Sequence, residues 1–186
     1  MGIISALGQS CDIYFYQVGG GYRDRFEGLG EERLGYYAEL FGVGARTGID
    51  LTGEAPGLVP TVKWKRVNYS ESWVTGDTYN MSIGQGFVLS TPLQMLNSAA
   101  AVANGGTLYR PQVVREVIDS DGNVIRAFAP DGIRQMPVSD DNLDFVRRGM
   151  RAAVSGPGAT GWGLDERGVP GAGTTGAAEV GSARGT

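Results

Sequence analysis

The chain has 186 residues, 41% of them apolar, with a formal net charge of −4 and no histidine. That length and apolar fraction suit one globular domain or a large part of one, not a disordered chain. The charge and the lack of any Lys/Arg run exclude nucleic acid and anionic membrane surfaces as expected partners, and without histidine there is no Ser-His-Asp or Cys-His catalysis and no His-ligated metal.

Glycine is abundant at 31 residues, so many of these positions must serve turns, helix ends and close backbone approaches. The single Cys11 leaves no internal disulfide, and any lysine chemistry must use Lys63 or Lys65. The apolar runs are far too short to span a bilayer, and the opening MGIISALGQS lacks the basic start of a signal peptide.

In chain order, IISALGQSCDIYFYQVGGG reads as helix on both sides of a break at Gly8 to Ser10, with Ser10 as cap of a second helix from about Cys11 to Val18. A further helix is predicted over Glu32 to Phe41, stopped by Gly42. A glycine-punctuated loop follows, with a short extended piece around Ile49 to Leu51. Residues 61 to 80 hold Trp64, Tyr69, Trp73 and Tyr79 without a clean period, which predicts a long irregular loop.

STPLQMLNSAAAVANGG carries the strongest helix signals. Thr91 caps, Pro92 takes the first helical position, Gln94 completes a capping box, and Gly105 and Gly106 stop the helix. Leu93, Leu96, Ala100 and Ala103 are predicted to share its buried face. PQVVREVIDSDGNVIRAF predicts a hairpin turning at Asp121-Gly122. SDDNLDFVRRGMRAAVS predicts an amphipathic helix capped by Ser139, with Leu143, Val146, Met150 and Val154 inward. Beyond Gly156 only GTTGAAEV looks strand-like.

Several stretches could carry chemistry. GVGARTG and SIGQG are glycine-rich, but neither fits a phosphate-binding pattern, and tight turns explain them better. Asp50, Glu54, Glu71 and Asp77 could pair for acid-base work, though no spacing forces them together, so solvated loop carboxylates are the plainer reading. WKRVNYSESWVTGDTY could bind a sugar or base, or could be a loop anchored by its tryptophans. Ser10-Cys11-Asp12 places a hydroxyl and a carboxylate two apart, either a helix cap or a proton shuttle. GAGTTGAAEV, at 171 to 180, is either a strand against which a ligand lies or a flexible tail.

The order of SCDIYFY, TGIDLTGE, WVTGDTYNMSIGQGFVLSTPLQMLNSAAAVANGGTLYRPQVV and AGTTGAAE closely resembles the transpeptidase domain of class B penicillin-binding proteins, of the elongation-specific penicillin-binding protein 2 type. The resemblance covers nearly the whole chain. It implies an α/β fold of α+β type, like that of β-lactamases and transpeptidases, with an antiparallel sheet flanked by helices. It also implies that residues 1–186 form an incomplete domain, without the upstream S-x-x-K part and the C-terminal strands.

The same resemblance implies serine acyl-enzyme D,D-transpeptidation of peptidoglycan stem peptides, inhibited by β-lactams, with no metal or organic cofactor. It implies catalytic roles for Ser10 and Asp12, which match the family's second motif. Substrate binding would fall to Thr174, Thr175 and Gly176, matching its third motif, and to Ala177 beside them. Three departures stand out. No serine lies three residues before Lys63 or Lys65, where Pro60 and Val62 stand. Thr174 replaces the family's lysine, and Ala177 replaces a common hydroxyl, although the Ala177 N–H could still serve an oxyanion hole.

Lacking the nucleophile, this chain alone is expected to be inactive. The alternative is a non-catalytic pseudoenzyme that binds cell-wall peptide or a partner protein. Cell-wall elongation proteins are expected partners, and the outer face of the cytoplasmic membrane is the expected location, both by family resemblance. A domain missing sheet strands is also expected to be marginally stable or to self-associate through an apolar face of the helix at 92 to 104.

Overall fold

The computed structural model describes residues 1–167 and 170–176, the side chains of 165–167 aside. In chain order the elements are α1 (Ile3–Gly8), α2 (Asp12–Gly20), a 3-10 turn (Arg23–Arg25), α3 (Gly30–Leu40), α4 (Val62–Tyr69), α5 (Thr75–Ser82), α6 (Pro92–Ala103), β1 (Thr107–Tyr109), β2 (Glu116–Ile118), β3 (Val124–Ala127), β4 (Gly132–Gln135), α7 (Asp140–Ser155) and a second 3-10 turn (Trp162–Arg167). The architecture is α+β, with its antiparallel part in two two-stranded ribbons, β1–β4 and β2–β3. Among the described residues no helix is long and apolar enough to cross a membrane.

The chain divides into two compact units: Met1–Leu34, Pro60–Val88 and the described residues from Asp141 on form the first, and Gly35–Val59 with Leu89–Asp140 the second.

In the first unit glycines set how closely the helices approach. A Cβ on Gly19 would come within 2.3 Å of Ser82 Cβ, and one on Gly20 within 2.1 Å of the Tyr79 ring, so α2 meets α5 backbone-first. A Cβ on Gly149 of α7 would lie 2.5 Å from a Leu7 methyl of α1. Leu143 and Val154 of α7 are fully buried, and truncating such a leucine to alanine costs about 3 kcal/mol.

The predicted break between α1 and α2 is present, but Ser10 does not cap. Cys11 is the residue before the first turn of α2, and no side chain caps that turn. Ser10 instead takes a left-handed backbone, φ 51°, a conformation that costs a non-glycine residue free energy.

The irregular loop expected over 61 to 80 is two helices. Thr61 Oγ1 accepts the Trp64 N–H at 3.0 Å and starts α4. Asp77 Oδ2 accepts the Val74 N–H at 2.8 Å and fixes the first turn of α5. Trp64, Tyr69 and Phe87 form an aromatic cluster with centroids 4.9–5.6 Å apart, and Trp73 Nε1 donates to Thr78 Oγ1 at 2.8 Å. These aromatics anchor helices, not a loop.

In the second unit, Leu40, Ala101, Leu108 and Met136 form the core, flanked by Phe41 and Val138. α6 has the predicted caps: Thr91 Oγ1 accepts the Gln94 N–H at 3.2 Å, Gln94 Oε1 accepts the Thr91 N–H at 3.0 Å, and Pro92 leads the helix. Its inward face is not the predicted one. Gln94, Ala101 and Val102 are buried, whereas Leu96 is 65% exposed.

The β2–β3 hairpin turns at Asp121-Gly122 as expected, with Gly122 at φ 86°. The Asp119 carboxylate accepts the N–H groups of Asp121 and Asn123 and the Asn123 side-chain amide. The β1–β4 ribbon went unpredicted. No strand forms over Ile49 to Leu51; an isolated bridge joins Leu58 to Leu89 instead.

Candidate active site

The first unit contains a cleft of ≈490 Å³. Ser10, Asp12, Thr174, Thr175 and Gly176 all line it, together with Leu7, Phe15, Ser82, Ile83 and Gln85. Two segments more than 160 residues apart in the sequence therefore face one hollow.

Each wall has a local cause. Ser10 and Asp12 sit at the turn from α1 to α2, where the Cys11 N–H bonds back to Ala6 O at 2.9 Å. Asp12 is the first residue of α2, where the positive end of the helix dipole favours a carboxylate. Neither the Ser10 hydroxyl nor the Asp12 carboxylate has a hydrogen-bond partner among the described residues. Both are available to a ligand in the cleft.

The opposite wall is the segment 170–176, which has no helix or strand. The strand expected there is not formed over 171–176, and Ala177 to Val180, including the proposed Ala177 N–H, lie outside the described residues. α7 holds this wall: the Gly173 N–H donates to Met150 O at 3.0 Å, and Arg151 Nη1 donates to Gly171 O at 2.6 Å. Thr175 Oγ1 is 3.1 Å from Thr160 Oγ1, and Thr174 Oγ1 donates to Thr175 O at 3.4 Å.

The third wall is the end of α5 and the turn after it. Ser82 Oγ donates to Tyr79 O at 2.6 Å, and the Gln85 N–H donates to Asn80 O at 2.8 Å. Gly84 and Gly86 take φ 74° and 71°, values that glycine alone adopts without strain. Reading SIGQG as a tight turn is therefore correct but incomplete, because the turn also presents Ser82, Ile83 and Gln85 to the cleft. The sequence shows two glycines flanking Gln85, but only the fold displays the turn that carries these side chains to the cleft.

Among the described residues no lysine or arginine lines the cleft, and Asp12 is the one acidic residue that does. Among these residues a substrate carboxylate would meet hydroxyls and backbone. Among the described residues no group of three or more His, Cys, Asp or Glu could hold a metal ion.

Of the other carboxylates, Glu71 and Asp77 do converge, on buried Lys65, with Nζ–O distances of 3.4 and 2.7 Å. The hydrogen bond from the ammonium to Asp77 holds the Lys65 pKa above its ordinary value, against the opposing effect of burial. Glu54 accepts the N–H and hydroxyl of Thr47 at 2.6 Å each and the Gly48 N–H at 3.1 Å. Burial alone would raise the Glu54 pKa, but these hydrogen bonds, with Arg46 nearby, bring it below the ordinary value. Asp50 Oδ1 accepts the Val113 N–H at 3.4 Å.

The model of the penicillin binding protein transpeptidase domain matches residues 1–186. The chain belongs to that family of penicillin-binding transpeptidases. Within it, the chain is similar to peptidoglycan D,D-transpeptidase MrdA of Acinetobacter baumannii, at 33% identity over 175 residues, covering 94% of this chain and 25% of that protein. It is 31% identical to MrdA of Salmonella typhimurium, over 86% of this chain and 25% of that one. The crystal structure of Pseudomonas aeruginosa PBP2 in complex with WCK 5153 aligns with a TM-score of 0.73 and 32% identity, over 89% of this chain and 35% of that one. The chain thus spans about a quarter of the length of these curated relatives.

Proposed function

We propose that these residues form part of the cleft of a peptidoglycan D,D-transpeptidase and receive the D-Ala-D-Ala end of a stem peptide. What supports this most is that Ser10, Asp12, Thr174 and Thr175 share one cleft, in a chain whose relatives include peptidoglycan D,D-transpeptidases.

In the reaction, a serine oxygen attacks the carbonyl of the penultimate D-Ala. The terminal D-Ala leaves as its amine, and an amine of a second strand then displaces the serine to close the crosslink. The Ser10 hydroxyl is placed to pass a proton between the serine and the departing or arriving nitrogen, with Asp12 polarising the site. Thr174, Thr175 and Gly176 align the peptide, and the Ala177 N–H serves the oxyanion. The attacking serine is not among these 186 residues, since none lies three positions before a lysine. These residues alone therefore do not turn over.

A second reading is a binding module that holds stem peptide without reacting. It is favoured by Thr174, which leaves the cleft without a lysine or arginine among the described residues. β-Lactams are ligands under the first reading. A cell-wall elongation protein is a partner under either, by analogy with the complex of Helicobacter pylori PBP2 and MreC. Both readings place the site at the outer face of the cytoplasmic membrane.

Fluorescent penicillin tests this. The chain of 186 residues is expected to show no covalent label, whereas a form extended by a preceding segment that carries S-x-x-K is expected to label. Labelling of the shorter chain would refute the missing nucleophile. An extended form that stays unlabelled while still binding D-Ala-D-Ala peptide would favour the binding module.

A further inference from the structure

Lys65 is 4% exposed, an uncommon position for a lysine, and no step of the proposed reaction uses it. Its ammonium lies 2.7 Å from Asp77 Oδ2, 3.4 Å from Glu71 Oε2 and 5.5 Å from the centroid of the Phe87 ring. A buried ion pair seldom adds net stability, and its best-supported use is to specify one arrangement.

Here that arrangement includes the third wall of the cleft. Asp77 stands in the first turn of α5, where the oxygen bonded to Lys65 also accepts the Val74 N–H. Five residues later the helix ends at Ser82, the first residue of the wall. Phe87 follows the wall directly and packs on Trp64 and Tyr69 of α4, the helix that carries Lys65. One cation on α4 therefore contacts the chain on both sides of 82–86. The turn between those contacts contains Gly84 and Gly86 in left-handed conformations, and a glycine-rich turn has the most freedom to lose.

We propose that Lys65 is a positioning residue that holds the 82–86 wall against the cleft, through Asp77 on one side and Phe87 on the other. This rests on the proposed reading of the cleft only for its consequence on ligand binding. The positioning itself can be read without ligand. Loss of the ammonium frees α5 to rotate about its first turn and Phe87 to slide on Trp64, so Ser82, Ile83 and Gln85 no longer converge on the hollow.

The test uses amide NMR of the 186-residue chain with a diacetyl-Lys-D-Ala-D-Ala peptide as probe. In the peptide-free protein, Lys65→Met is expected to shift or broaden the amides of 82–86, while those of Ile3–Gly8 stay in place. Peptide affinity is expected to fall about ten-fold, and Lys65→Arg, which keeps the charge, to restore most of both. Phe87→Leu, which keeps the ion pair, is expected to disturb the same amides and serves if Lys65→Met does not fold.

The positioning role is overturned if either folded variant, Lys65→Met or Phe87→Leu, leaves the 82–86 amides unmoved. A Lys65→Arg variant as disturbed as Lys65→Met also overturns it. If the wild-type chain shows no response to peptide at Ser10 or Thr175, the reading of the cleft fails instead, and the ligand-free amides still decide the positioning role.

Discussion

Gln94 Nε2 donates to the carbonyl oxygen of Ala45 at 2.6 Å, across 49 residues of sequence. The same nitrogen donates to Pro56 O at 2.8 Å, while Oε1 accepts the Thr91 N–H. A fully buried amide thus caps α6 and ties the 45–56 loop to it. Gln94→Leu removes three part-buried hydrogen bonds, to Ala45 O, to Pro56 O and from the Thr91 N–H, each worth about 1 kcal/mol. We expect it to lower stability by about 3 kcal/mol in urea denaturation, and Gln94→Glu, which turns an oxygen toward those carbonyls, to be no better. A wild-type midpoint for Gln94→Leu would mean that water replaces the amide.

Glu54 gives a pH dependence. Its carboxyl is below the ordinary value of 4.5 in the folded chain because Thr47 and Gly48 donate to the ionised form. The stabilisation is therefore fully present above about pH 4.5 and is lost as pH falls through the lowered folded value. Glu54→Gln should flatten that acid limb and reduce stability at neutral pH. Thermal melts from pH 2 to 7 check both, and parallel curves for the two proteins would count against the assignment.

Thr174 offers a gain-of-function test. Among the described residues the cleft has no basic side chain, and Thr174 is exposed, so Thr174→Lys introduces a cation with little desolvation cost. We expect about five-fold tighter binding of a D-Ala-D-Ala peptide, within the range of a partly exposed ion pair, and the gain should fade in high salt. Calorimetric titration at two ionic strengths would show it. An increase that ignores salt would point to packing instead of charge.

Ser10 carries backbone strain at φ 51°. Ser10→Gly removes it and should stabilise the fold by about 1 kcal/mol, while deleting the hydroxyl from the cleft. Ser10→Ala keeps the strain and deletes the same hydroxyl. If Ser10 handles a proton, both variants should abolish penicillin labelling of the extended form, although only Ser10→Gly raises its melting temperature. Retained labelling in either would remove Ser10 from the mechanism.

What was legible in the sequence divides along physical lines. The ends of α6 were readable because Thr91, Pro92, Gln94 and the glycines after Asn104 act locally. Its buried face was not, because Gln94 does double duty: once a polar residue takes an inward position, the helix turns away from the stripe of Leu93, Leu96, Ala100 and Ala103. Similarly, α4 and α5 were missed because the inward residue of α4 is Lys65, which any apolar-period search counts as outward. The candidate site shows the same split. Motif order alone pointed to Ser10, Asp12, Thr174 and Thr175, which line one cleft, whereas Ser82, Ile83 and Gln85 reach it through a turn geometry that only the fold displays.

The place held by Gly28 has an implication for how this chain can vary. A Cβ there would lie 2.2 Å from Gly21 N, 2.4 Å from Gly19 O and 2.6 Å from Gly20 C. The obstruction is made of peptide planes, which no neighbouring substitution can trim. In a library of single replacements this position should therefore return glycine alone, and no compensating second change in a side chain nearby should rescue an alanine.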